Sequence, residues 1–252
     1  MPAFNTSRPV LSLGAFFAFA IYSASQPSQA VTELITNGNF EAGLSGWTRS
    51  DQLGSDGTYF LVPNSGGIAP SSGQPFQLNP TGGNLFAMTD SQGPGSHSLT
   101  QAFTIPNPGA VVSYSFQMFA NNWAVTGDAN NGRNFDTPTL VQNAVVDIIT
   151  GSDPFTTANV IAVLFGPGSD FPNPNPNPWK TYTGTLSLNP GAYQIRFAET
   201  DNVNIFNHGV DNVSISIGAE VPLPAALPLL ATGLGALGLF GWRRKKKAAP
   251  LG

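Results

Sequence analysis

Ala192-Tyr193-Gln194-Ile195-Arg196-Phe197-Ala198-Glu199 sets a bulky apolar side chain at three alternate positions, Tyr193, Ile195 and Phe197. A period of two points every second side chain to the same side, the signature of a strand with one buried face. Val213, Ile215 and Ile217 repeat the pattern near residue 217. Working outward, further runs rich in β-branched and aromatic residues are each bounded by Gly, Pro, Asn or Asp. They predict strands at 58–62, 84–89, 97–105, 111–120, 144–150, 160–165, 180–188, 192–199 and 210–217. No segment between 31 and 220 has a helical period, and no internal repeat is visible. The expected fold is all-β, an antiparallel two-sheet β-sandwich of the jelly-roll kind. Residues 65–80, rich in Gly, Ser and Pro, and 121–138, rich in Asn, Asp and Gly, read as loops.

The charges are unevenly placed. The whole chain carries a formal −4, yet residues 31–220 hold only Arg49, Arg133, Lys180 and Arg196 against all 14 acidic residues, a net of −10. A body so acidic, with no basic patch, excludes nucleic acid and anionic polymers as partners and leaves neutral glycans and cations. There is no cysteine, so neither disulfides nor thiolate metal sites support the fold. About 190 residues suffice for one domain with a real core.

Both ends read as addresses. Arg8 is the only charge before Glu33, an apolar stretch runs from Val10 to Ile21, and Ser28-Gln29-Ala30 supplies small residues for a signal peptidase. Residues 1–30 are therefore expected to be a cleavable secretory signal. At the other end Val221-Pro222-Leu223-Pro224 opens an uncharged run, 225–242, that Arg243-Arg244-Lys245-Lys246-Lys247 closes. As a helix this run is about 27 Å long, close to a hydrocarbon core of about 30 Å. The basic cluster is expected to stay cytoplasmic, leaving the body outside the inner membrane. A plain membrane anchor satisfies the same physics.

The three-part tail, 221–252, resembles that of the PEP-CTERM proteins of Gram-negative bacteria. Leu223 stands where that family usually has glutamate. The resemblance implies export, handling by an exosortase-type sorting protease, and a cell-surface or extracellular-matrix destination. It also implies bacteria that make exopolysaccharide and biofilm.

A second resemblance lies in the body, 31–220. Leu34-Ile35-Thr36-Asn37-Gly38-Asn39-Phe40-Glu41 with Gly43-Leu44-Ser45-Gly46-Trp47, and then Gly209-Val210-Asp211-Asn212-Val213, look like the ends of carbohydrate-binding modules and galactose-binding-like jelly rolls. In such a fold the first and last strands can lie together, which brings Glu41 toward Asp211. Similar modules hold a structural calcium there, with Asn39, Glu41 and Asp211 as the oxygen donors here. Turn capping or solvent exposure explains the same two carboxylates. The loop Asp128-Ala129-Asn130-Asn131-Gly132 faintly echoes a calcium loop, but Thr139 stands where a bidentate glutamate is needed.

A neutral-sugar site needs flat rings beside polar groups. Trp123, Phe135, Trp179 and Tyr182 lie outside the alternating core positions, with Trp123 foremost because it follows Asn121-Asn122. Trp47 is expected in the core. Each of the candidate rings has core or rim packing as its plainer role. Pro172 to Pro178 alternates Pro and Asn, an extended segment that either spaces two strands or projects Trp179. Catalysis has little footing, because His97 and His208 fall in no metal or nucleophile motif. Glu199-Thr200-Asp201 puts acids at a strand end, where solvated acids also belong. Two readings follow: an exported binder of neutral exopolysaccharide, or a surface protein with no ligand; a glycan hydrolase is a distant third.

Overall fold

The computed structural model describes residues 31–92, 94–108, 110–123, 142–166, 175–201 and 204–218. The signal, the sorting tail, Phe135 and the loop at 128–132 lie outside the described residues. Among the described residues there are eleven strands: β1 Val31–Glu33, β2 Thr48–Asp51, β3 Thr58–Pro63, β4 Leu85–Asp90, β5 Gly95–Ile105 and β6 Ala110–Asn122 come first. β7 Gln142–Ile149, β8 Val160–Phe165, β9 Lys180–Leu188, β10 Gly191–Asp201 and β11 Phe206–Gly218 follow. They form two antiparallel sheets. Sheet A has the order β3-β4-β11-β6-β9, with β1 also on β11, and sheet B has the order β2-β5-β10-β7-β8.

The nine strands expected from periodicity are all present, and β11 begins at Phe206 rather than near Val210. β1 and β2 were not expected. Val-Thr-Glu and Thr-Arg-Ser-Asp are short and almost wholly exposed, so they lack the apolar alternation that marks a strand.

The sheets meet face to face. Sheet B contributes Leu99, Phe103, Ile105, Val146, Ile148, Ile195 and Phe197, and sheet A contributes Val112, Phe116, Met118, Phe206, Val210, Val213 and Ile215. Phe116 and Phe197 touch across the interface, edge to face at 5.5 Å. Trp47 belongs to this core, 5.2 Å from Phe40 and 6.0 Å from Phe197, with Nε1 donating to the Asn37 carbonyl at 3.0 Å.

The two body motifs explain each other. Asn37 and Phe40 adopt φ of 52° and 55°, and the Asn37 side chain ties the turn by bonding Gly43 O, Ser45 O and Ala42 N. The Gly38 carbonyl then accepts Val213 N at 2.8 Å. A Cβ on Gly38 would overlap the Val213 carbonyl oxygen, so close backbone approach requires glycine there. The receiving site is a bulge in β11, where register slips between Asp211 and Ser214 and Asn212 takes φ of 51°. Much of this motif pair is thus a latch between the turn at 37–46 and β11.

Loops cover parts of both outer faces. On sheet A the segment 64–84 folds back, seating Phe76 on Phe119 and Phe86. Asp90 holds it by accepting Ser71 N at 2.5 Å and Ser72 N at 2.8 Å. On sheet B the segment 150–159 brings Phe155 against Val145 and Ala198. Strand periodicity alone gives no warning of these outer layers.

Candidate functional site

Trp123, Trp179 and several asparagines gather at one end of the outer face of sheet A. β6 ends in Asn121-Asn122, β11 sets Asn207 opposite Asn121, and the last part of the Pro-Asn segment docks on β6. Asn121 Oδ1 accepts Asn177 N at 2.7 Å, Asn177 Nδ2 donates to Ala120 O at 2.9 Å, and Asn175 Nδ2 bonds Asn122 O. Trp123 Nε1 donates to Asn207 Oδ1 at 3.0 Å, while Asn207 Nδ2 donates to Asp90 Oδ1 at 2.8 Å. Asn121 Nδ2 is buried and has no partner. A buried amide N–H without an acceptor is costly, so a water or ligand oxygen is the natural complement.

Trp179 does not project freely. Its ring meets Phe119 at 4.9 Å and Phe86 at 5.1 Å, both edge to face, and Nε1 donates to Gln77 O at 2.7 Å. Tyr182 points into the sandwich, stacked on Phe116 at 5.3 Å and edge-on to Phe165 at 5.3 Å. The structure therefore brings Trp123 and Trp179 to one face and separates Tyr182 from them. Alternation carried this information: Tyr182 shares parity with Leu186, and inward parity is what buries it. All three rings are partly buried.

Glu41 and Asp211 do come near each other, with Gly82 and Gly83 fitted against them. Glu41 accepts Asn84 N at 2.6 Å, Leu85 N at 2.9 Å and Asn84 Nδ2 at 3.0 Å. The Leu85 N–H above all, with the Asn84 side chain next, lowers the Glu41 pKa. Asp211 accepts Asn212 N at 2.7 Å and Asn79 Nδ2 at 2.9 Å. Its carboxyl is pushed up to about 6, chiefly by desolvation, with the Glu41 charge adding to it. Asn39 is exposed and its Oδ1 lies 3.5 Å from Glu41 N. The oxygens of the pair already take N–H donors, and no group of three or more His, Cys, Asp or Glu suited to a metal occurs among the described residues.

A second polar cluster lies inside the core. Glu199 and Asp201 are not solvated at their strand end but fully buried. Thr89 Oγ1 donates to Glu199 Oε2 at 2.6 Å and accepts His208 N at 2.9 Å, and Tyr59 Oη lies 3.1 Å from His208 Nδ1. Desolvation raises the Glu199 pKa well above its ordinary value and lowers that of His208 to about 3. Burial thus disfavours the charged form of both side chains. His97 is also buried, between Asp51 Oδ1 and Asp56 O at 2.8 Å each.

The sign of the Glu199 effect gives a test. A carboxyl whose folded pKa is raised contributes stability that is complete below its unfolded pKa and is lost as pH rises through the folded one. Glu199→Gln keeps an acceptor for Thr89 and cannot ionise. Its melting temperature is expected to match the parent at pH 4 and to exceed it at pH 8. Equal melting temperatures at both pH values would contradict the assignment.

No family model matches this chain, and no curated protein does. Several solved structures are similar to it. The enzymatically active domain of tailspike protein 4 from bacteriophage CBA120 aligns at 16% identity over 73% of this chain and 21% of that one, with a TM-score of 0.44. This chain thus spans about a fifth of the tailspike's length. The carbohydrate-binding module TmCBM61, solved with β-1,4-galactotriose, aligns at 15% identity over 73% and 97%, TM-score 0.42. The K3 cleaved adhesin domain of Lys-gingipain from Porphyromonas gingivalis aligns at 16% identity over 73% and 98%, TM-score 0.41.

Proposed function

We propose that this chain is an exported surface or extracellular-matrix protein whose sandwich engages a neutral polysaccharide at the Trp123 end of sheet A. One observation carries the binding part: two partly exposed indoles share a face with Asn121, Asn175, Asn177 and Asn207, and one buried amide there, Asn121 Nδ2, lacks an acceptor. Amides donate and accept, as sugar hydroxyls do, and indole faces cover sugar C–H groups. Export rests on the two terminal addresses, with a signal peptidase at residues 1–30, and an exosortase-type protease and the inner membrane at 221–252. A calcium ion at Glu41 and Asp211 is the remaining element. Its support is the mutual repulsion of two adjacent carboxylates, which a hard cation would relieve.

A second reading, a surface protein with no ligand, is favoured by a specific fact: among the described residues no aromatic side chain is fully exposed. Catalysis is assigned to no residue in either reading.

A glycan-array screen of purified residues 31–220, with calcium and with chelator, separates these readings. The expected result is weak binding to a neutral glucan or galactan that falls about tenfold in Trp123→Ala, on the scale of 1.4 kcal/mol. Binding lost only in chelator would assign the ion. A folded sample that binds nothing in either buffer would leave the ligand-free reading standing.

A further inference from the structure

Unpaired strand edges are the places where a sheet can grow, and folded proteins usually blunt them. Four of the edges here are blunted. β1 and β2 have 3 and 4 residues, β3 closes on Pro63, and β8 loses register twice against β7. β9 carries one such device, Lys180 at its first residue, and none from Thr181 to Leu188. It runs 9 residues without proline or bulge, in unbroken register with β6 from Lys180↔Met118 to Leu188↔Ala110. Among the described residues its ladder has a partner strand on one side only.

We propose that β9 pairs with β9 of a second copy of this chain, antiparallel and centred on Gly184, joining two copies of sheet A into one. The sequence of β9 is complementary to its own reverse in that register. Thr183 falls opposite Thr185, Thr181 opposite Ser187, Tyr182 opposite Leu186, and Lys180 opposite Leu188. Outward positions thus match hydroxyl with hydroxyl, the inward Tyr182–Leu186 pair matches a ring with an aliphatic chain, Lys180 meets Leu188 at the ends, and no like charges meet. Hydroxyl and aromatic–aliphatic pairs of this kind stabilise antiparallel ladders. The contact is isologous, so it closes at two copies rather than running on as a fibre.

The neighbouring surface agrees. Outward positions near the seam are Val111, Ser113, Ser115 and Gln117 on β6 and Thr181, Thr183, Thr185 and Ser187 on β9, none of them charged. Two such faces can lie side by side without electrostatic cost, although the body as a whole is acidic. This pairing stands whether or not the body binds sugar.

The absence of cysteine makes the register testable in the full-length chain, purified in mild detergent. Thr183→Cys and Thr185→Cys are made separately, and oxidised alone and as an equimolar mixture. Opposed residues on paired strands come within disulfide reach. The expected result is a reductant-sensitive species of twice the chain mass in the mixture and none in either variant alone. Leu53→Cys, fully exposed on another surface, reports random collision. Wild-type mass should also double with concentration, and Thr183→Lys/Thr185→Lys, which sets lysines opposite lysines, should stay monomeric with an unchanged circular dichroism spectrum. Equal cross-linking by the Leu53 variant overturns the proposal. So does a wild-type chain that stays monomeric at all concentrations while the mixture gives no cross-link.

Discussion

Asp147→Ala is expected to destabilise the fold by about 3–5 kcal/mol, the usual cost of stripping one partner from a buried ion pair. Arg196 and Asp147 are opposed on β10 and β7, and both are fully buried on the outer face of sheet B. Arg196 Nε donates to Oδ1 at 2.9 Å and Nη2 to Oδ2 at 2.7 Å, a bidentate pair. Nη1 reaches over the sheet to Pro154 O at 2.8 Å and Thr156 O at 2.9 Å, which pins the covering segment. Alanine at 147 strips the buried guanidinium of its bidentate carboxylate partner. Replacing both partners, Asp147→Leu with Arg196→Met, removes the stranded charge. The double variant is therefore expected to recover much of the loss, because a buried pair contributes little over an apolar match. Urea unfolding at pH 7 measures both. A single-variant cost below about 1 kcal/mol, the range of exposed pairs, would mean that the pair is solvated.

Gly209→Ala is expected to cost about 1–3 kcal/mol through overpacking. A Cβ at 209 would stand 2.6 Å from Cδ1 and 2.7 Å from Cζ of Phe119. The ring has no room to retreat, because Phe76 stacks on it at 6.2 Å and Trp179 meets it edge-on at 4.9 Å. Phe119→Leu alone is expected to destabilise by leaving space under the covering loop. Together the two changes should cost less than their sum, since the smaller side chain vacates the volume the new methyl needs. Strict additivity in thermal or urea unfolding would show that the two sites do not share that space.

What was legible in the sequence was the part governed by local periodicity. Tyr193, Ile195 and Phe197 read as inward and are inward, and the nine strong strands follow from the same rule. The outer faces were not legible. Arg196 alternates with apolar neighbours just as a solvent-facing residue does, and its burial depends on the segment 150–159 lying over it. Phe76 sits in a stretch of Gly, Ser, Gln and Pro that reads as a solvated loop, yet its ring is buried. Glu199 and Asp201 share this difficulty in reverse, since a strand end can face water or the core and only tertiary packing decides. For the candidate site, Trp123 beside Asn121 and Asn122 was visible as a motif. The contribution of Asn207 was not, because it comes from 84 residues further along.

The latch described above has a mechanical consequence. Val31 is the register partner of Gly218, so the body's two ends leave from the same point. A pull on the chain beyond Gly218 is fed into β11, which has β4 and β1 on one side and β6 on the other. β11 is held to β6 by ten register pairs running along the direction of that pull. Load applied this way shears the whole ladder at once instead of opening it bond by bond. A sandwich hung from its C-terminal end is therefore gripped along one of its two longest strands, and the slip in register at Asp211 sits as a notch in the middle of that grip.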